Sequence, residues 1–353
     1  MSAIRRAEAF CARYGLTVPI LLAPMAGACP PALSAAVVEA GGMGACGVVL
    51  MAPDEIRAWA ADLTATTQGP FQFNNWVRDP PPRRDPAHEA LVRAFLENWG
   101  PPVPAAAGDA TPPAFEAQCE AMLEIAPPVI SSVMGLFPPW FIKALRSRGI
   151  AWFAHVVTLA EARAAEHAGA DAIVVQGWEA GGHRGSFDAG DDGRRQAGLM
   201  ALLPAVVDAV KAPVIAAGGI ADGRGVAAAL ALGASAAIIG TGLLRAPEAA
   251  IDPAWAEGLA GAAPEDTLVS RVFSGRAGRS LATGYVLAAT SEDAPAPAPY
   301  PVQRGLTAAM RRASAGDLNC LQAWSGQSAG LAKAIPAGEI VRQAWAGARE
   351  LLA

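Results

Sequence analysis

Short apolar runs recur along the first two thirds of the chain. Many are followed by a stretch whose apolar positions return every three or four residues. The runs lie at 20–23, 44–49, 71–76, 129–133, 152–156, 172–176, 214–217 and 237–239. Most are continuously apolar rather than alternating, as strands buried on both faces of a parallel sheet must be. The stretches at 31–40, 54–64, 139–148, 159–168, 202–210 and 223–232 carry helical periodicity. About eight strand–helix units in series predict an α/β fold, a (β/α)8 TIM barrel.

Two departures from that rhythm define the domain organisation. A long insertion follows the third strand, at about 78–128. It contains Asp79-Pro-Pro-Pro-Arg-Arg-Asp85-Pro86 and Gly100-Pro-Pro-Val-Pro104, with helix-like stretches after each. Insertions of this length often shape a barrel's substrate mouth. After Thr241 the repeat stops. Residues 1–249 therefore read as the barrel and 250–353 as a helical extension packed on it, with a Pro/Ala linker at 293–301.

Composition agrees with a single large core: of 353 residues, 53% are hydrophobic and 17% charged. The balance of 27 basic and 32 acidic residues, net charge −5, holds no basic patch with interleaved aromatics, so nucleic acid is not an expected partner. Apolar runs are too short and interrupted for a membrane span, and no signal peptide follows Arg5-Arg6. The five cysteines form no CxxC pair, which reads as reduced thiols in a cytoplasmic protein. Cys29 reads as a small buried thiol.

Chemistry in a barrel sits at the C-terminal strand ends. Those ends carry Pro24-Met25-Ala26-Gly27, Asn74-Asn75, Ser131-Ser132, His155, Gln176-Gly177, Gly218-Gly219 and Gly240-Thr241-Gly242. Glycines at the last two ends allow close backbone approach, and the helix starts beyond them offer free N–H groups to an anion. A phosphate is expected there; FMN, a sugar phosphate and a nucleotide all fit. His183, in Gly177-Trp178-Glu179-Ala180-Gly181-Gly182-His183-Arg184-Gly185, is a candidate base, flanked by glycine and placed beyond a strand end. Ser132 and His155 are candidate substrate-side residues. There is no HExxH, no GxSxG, no metal-ligand spacing and no GxGxxG after the first strand.

The stretches Ala23-Pro24-Met25-Ala26-Gly27, Gln176 to Gly185, Ala216 to Gly223, Ser274-Gly275-Arg276-Ala277 and Trp324-Ser325-Gly326-Gln327 resemble those of the nitronate monooxygenases, formerly 2-nitropropane dioxygenases. The resemblance runs from about residue 20 to about residue 330, and the Glu179-to-Gly185 stretch is its specific part. It implies a non-covalent FMN whose ring lies near Pro24, Met25 and Ala26, with Asn74 and Gln176 as polar contacts and Gly181 close by. Gly218, Gly219, Gly240 and Thr241 would hold the phosphate, and Ser325, Gly326 and Gln327 would meet the flavin. His183 matches the active-site histidine and Tyr300 a substrate-side tyrosine. The implied reaction oxidises alkyl nitronates, or nitroalkanes, with O2 to a carbonyl compound and nitrite.

Three positions depart from the family pattern. Ile238-Ile239 precede Gly240 where a Gln is frequent, Asn75 stands at a commonly apolar position, and Trp178 adds bulk beside the histidine. The last two are expected to bear on substrate range. Arg184 either adds positive charge to the site or faces solvent. Two other readings share the fold: an NAD(P)H-dependent FMN reductase of enoyl or quinone substrates, and a non-catalytic barrel that binds a phosphate ligand.

Overall fold

A computed structural model describes residues 1–191 and 193–353. The eight expected barrel strands are β1 (Ile20–Leu22), β2 (Gly44–Gly47), β3 (Phe71–Trp76), β4 (Val129–Val133), β5 (Ala151–Val156), β6 (Ala172–Gln176), β8 (Val214–Ala217) and β9 (Ala236–Ile239). A two-residue strand, β7 (Gly182–His183), lies outside the barrel. All barrel pairs are parallel, in the order β1-β9-β8-β6-β5-β4-β3-β2. A bridge between Leu21 and Met43 closes the ring.

Strand alternation divides the core in two. Leu21, Val129, Phe153, Val174, Ile215 and Ile238 point into the barrel. Their neighbours Ile20, Leu22, Ile130, Trp152, Ile173 and Ile239 face the helices. The barrel floor is plugged by the N-terminal helix α1 (Ala3–Tyr14), capped by Ser2 and ended by a left-handed Gly15. Its Phe10 and Tyr14 join Phe153 in an aromatic cluster, and Arg6 Nε donates to Ala234 O at 3.0 Å.

The ring of helices is α2 (Pro31–Glu39), α3 (Pro53–Thr66), α5 (Phe115–Ile125), α6 (Pro139–Ser147), α7 (Leu159–Ala168), α8 (Leu199–Val207) and α9 (Gly223–Ala231), with α4 (Pro86–Leu96) in the insertion. Several announce themselves chemically. Proline opens α2, α3 and α6 at the first turn, Thr158 and Glu161 form a capping box on α7, and Asp222 caps α9. The C-terminal helix Ala337–Leu352 packs between α9 and α2. It thereby takes the eighth place in the ring. A Cβ on Gly223 would stand 2.8 Å from Ala348 N, so only glycine permits that approach.

The region after β9 is therefore not wholly helical or peripheral. It contains β10 (Thr267–Ser270) and β11 (Gly278–Leu281), antiparallel partners that join β7 in a three-stranded sheet. Val92 and Leu96 of α4 share a core with Val272, Phe273, Tyr285, Val302, Leu306 and Met310 of the extension. Insertion and extension thus make one cap. No helix among the described residues is long and apolar enough to cross a membrane.

Candidate active site

At the C-terminal face of the strands, under the cap, lies a cavity of about 430 Å³. That is within the usual range for a small-molecule site. It is lined by Pro24, Met25, Ala26, Asn74, His155, Gln176, Gly181, His183, Gly218, Gly219, Gly240, Thr241, Tyr300 and Gly326, among others.

The first wall is the turn after β1. The Cys29 thiol donates to Ala23 O at 3.1 Å and accepts from Met25 N at 3.3 Å. Burial pushes this thiol up to about 12, so it stays protonated and holds the turn. A Cβ on Gly47 would lie 2.9 Å from both Ala26 N and Pro24 O, so β2 can pack against the turn only through glycine.

The second wall is glycine. Gly218 and Gly219 adopt φ of +113° and +70°, which exposes backbone to the cavity where a side chain would be strained. Gly181 meets the C-terminal segment so closely that a methyl there would stand 2.5 Å from Gly326 N and 2.7 Å from Ser325 C. Thr241 Oγ1 accepts from Gly326 N at 3.0 Å, tying β9's exit to that segment. Three buried polar atoms on lining residues have no hydrogen-bond partner among the described residues: His155 Nε2, Trp255 Nε1 and Gln322 Nε2. Orphaned donors beside a glycine cradle are what a site shaped for a polar ligand leaves when considered alone.

The third wall carries His183. Gln176 fixes its loop: Nε2 donates to His183 O at 2.9 Å and Oε1 accepts from Gly185 N at 2.8 Å. β7 then pairs with β11, His183 opposite Gly278. The imidazole lies between Trp76 and Trp324, each centroid 4.7 Å away, and Trp76 also meets the Tyr300 ring at 5.3 Å. His183 Nε2 is 2.7 Å from the Oγ of buried Ser274. Nδ1 has no hydrogen-bond partner among the described residues. Burial first, then the charges of Arg304, Arg276 and Arg311, pull His183 down to about 3. The ring is thus neutral at ordinary pH and not a standing imidazolium. His155 is likewise held down, to about 4, by burial.

Several expected residues lie elsewhere. Ser132 does not reach the cavity: alternation turns Ser131 inward, where Asn74 Nδ2 donates to its Oγ at 2.9 Å, and sends Ser132 outward to accept from Trp152 Nε1 at 3.0 Å. Asn75 also faces out, donating to Gln118 of α5, and so does not act on substrate range directly. Trp178 is not on the cavity wall; it sits between Arg184 and Arg279, 5.4 and 5.6 Å from its ring. Arg184 neither enters the site nor faces solvent. It is buried and donates to the Gln176, Val157 and Arg195 carbonyls. Ser325 is buried with its hydroxyl on Gly326 O, and Gln327 N donates to Glu179 O. In that segment Gly326 and Ser328 line the cavity, while Ser325 and Gln327 secure it.

Sequence reasoning missed Trp76, Trp324, Gln322, Arg304 and Arg311 on the wall, and the partnership of Ser274 with His183. Trp76 follows Asn74 by two residues on β3, the one local signal available. The others come from the cap, whose folding the strand–helix rhythm does not describe.

A glycine-walled cavity at the strand ends of a barrel, with a half-buried, neutral histidine on its wall, defines a barrel enzyme acting on a small polar ligand. The chain belongs to the nitronate monooxygenase family, an oxidoreductase family whose model matches residues 10–346. A nitronate monooxygenase of Paraburkholderia phytofirmans is 39% identical over 339 residues, covering 93% of this chain and 92% of that protein. The crystal structure of nitroalkane oxidase from Streptomyces ansochromogenes superposes with a TM-score of 0.88 at 33% identity, covering 97% of this chain and 98% of that one. FabK from Thermotoga maritima shares the fold at a TM-score of 0.76 and 30% identity, over 98% and 96% of the two chains.

Proposed function

We propose that the protein is an FMN-dependent nitronate monooxygenase that oxidises alkyl nitronates with O2 to a carbonyl compound and nitrite. The observation that carries this reading is the half-buried His183, backed by Ser274 and bracketed by Trp76 and Trp324, on the wall of a cavity that also exposes bare glycine backbone. Gly218, Gly219, Gly240 and Thr241 would hold the phosphate. Pro24, Met25, Ala26, Asn74, Gln176, Gly181 and Gly326 would surround the ring, with Ser325 and Gln327 acting through the segment they secure. A flavin supplies the electron acceptor and the partner for O2. His183 and Tyr300 orient the substrate from the opposite side, and the indoles keep water from the reacting carbon. Because His183 is neutral, Nδ1 either takes the α-proton of a nitroalkane or, in the other tautomer, donates to a nitro oxygen.

The test is anaerobic stopped-flow spectroscopy of the purified protein with an alkyl nitronate and, separately, with NADH and NADPH. Bleaching of flavin absorbance by the nitronate alone is the expected result. Fast bleaching by a nicotinamide with none by the nitronate would replace this reading with that of a reductase. Purified protein that carries no flavin and takes none up would leave a binding barrel.

A further inference from the structure

The cavity of this acidic protein contains no acidic side chain among its lining residues, but it contains two arginines, Arg304 and Arg311. Both come from the cap, three residues before and four residues after Thr307. Arg311 is anchored: Nη2 donates to Arg304 O at 2.9 Å, Nε to Thr307 Oγ1 at 3.2 Å and Nη1 to Gln322 Oε1 at 3.4 Å. The Arg304 guanidinium makes no hydrogen bond or ion pair with any described residue. Gln322, oriented by Arg311, keeps its buried Nε2 without a partner on the same wall. Both guanidiniums are disfavoured by burial, and both act on His183.

A half-buried guanidinium stays charged and is costly to leave uncompensated. We propose that Arg304, Arg311 and the Gln322 amide form an anion subsite beside His183, which grips a planar two-oxygen anion of the substrate and discriminates against its neutral counterpart. This rests on the functional reading above. Two sources share the chemistry: the nitronate group itself, or a carboxylate at the substrate's other end. Arg304 is the free fork suited to either, and Arg311 is the positioning residue that sets Gln322 and the Arg304 backbone.

The experiment uses the flavin-loaded enzyme and its Arg304→Gln and Arg304→Lys variants. The Arg304 guanidinium has no hydrogen-bond or ion-pair partner among the described residues, so its replacement breaks no internal hydrogen bond there. Butyrate and its neutral isostere butyramide are titrated by calorimetry and by their perturbation of the flavin spectrum. Wild type is expected to bind butyrate about ten- to a hundred-fold more tightly than butyramide. That preference should vanish in Arg304→Gln and partly survive in Arg304→Lys. In turnover, Arg304→Gln should raise KM for ethyl nitronate far more than it lowers kcat if the subsite holds the nitronate. If it holds a distal carboxylate, only an ω-carboxylated nitronate should suffer. Equal binding of the two probes by wild type, or a preference undiminished in Arg304→Gln, would overturn the proposal. So would loss of flavin from Arg304→Gln, which would assign the pair to the cofactor. Arginine-dependent butyrate binding in a protein inert to every nitronate would sink the functional reading while the subsite stands.

Discussion

Replacing Ser274 by alanine tests the coupling between the buried hydroxyl and His183. Ser274 Oγ lies 2.7 Å from His183 Nε2, 3.2 Å from Arg276 O and 3.3 Å from Arg276 N. The Arg276 N–H donates to it, so its own proton goes either to Arg276 O or to His183. In the first arrangement the imidazole carries its proton on Nε2 and leaves Nδ1 unprotonated; in the second it carries Nδ1–H. Either way the hydroxyl is the ring's hydrogen-bond partner among the described residues. Alanine leaves a buried ring nitrogen unpaired, which costs about 1–3 kcal/mol. For 353 residues at about 2.1 cal/mol/K of unfolding entropy each, that cost lowers Tm by about 1–4 °C. If the same energy is withdrawn from the transition state, kcat/KM falls by about 5- to 150-fold. Scanning calorimetry and oxygen uptake with ethyl nitronate read the two effects. Flavin content should stay unchanged, because Ser274 does not line the cavity. Wild-type turnover in Ser274→Ala would refute the argument that Ser274 sets the histidine's working tautomer.

His183→Ala should lose most nitronate turnover while retaining flavin, as judged by oxygen uptake and the visible spectrum of the same sample. Gly181→Ala should do the reverse in kind: its methyl must displace the Ser325–Gly326 backbone, an overpacking cost of about 1–3 kcal/mol, and flavin affinity measured by fluorescence quenching should fall. Stability should also decline as pH falls below about 6.5, the ordinary histidine value. His183 and His155 stay neutral in the fold, held down to about 3 and about 4, whereas the unfolded chain protonates both. The unfolded state therefore binds more protons in that window, and each histidine contributes a slope of at most about 1.4 kcal/mol per pH unit. Urea midpoints at pH 7 and pH 5 should differ in that direction, and His155→Phe should reduce the difference.

The barrel was legible because a parallel strand buried on both faces has nothing to alternate: 20–23, 214–217 and 237–239 read as strands on apolar continuity alone. The glycine wall was legible for a related reason. Gly218-Gly219 and Gly181 sit where backbone must approach something, and that requirement is written in the residue type. What failed was facing. Ser131 and Ser132 are indistinguishable as a pair of polar residues at a strand end, but one residue of register sends one to Asn74 and the other to Trp152. Arg184 failed differently: a cation beside a histidine invites an electrostatic role, yet its guanidinium is spent on three backbone carbonyls. β7 is too short for periodicity to detect and exists because β11, distant in sequence, offers it a partner.

The wall residues missed altogether come mostly from the cap. Asn74, Gln176, Gly218 and Gly240 could be placed from strand position, because the ring fixes where each strand ends; Trp76 and Ser132 show that facing at those ends could not. The cap has no such ring. Its core joins α4 of the insertion to segments around Val272, Tyr285 and Met310, and a methyl on Gly100 would already stand 2.9 Å from Met310 Cα. Arg304, Arg311, Gln322 and Trp324 are therefore placed by packing between two segments that neither predicts alone. The consequence is a division of labour in the cavity. The glycine wall belongs to the barrel, where changing a residue collides with backbone. Most of the charged and aromatic groups around His183 belong to the cap, where side chains can be exchanged without disturbing a strand. A change of substrate should therefore be sought at Arg304 and its neighbours before any position on the glycine wall.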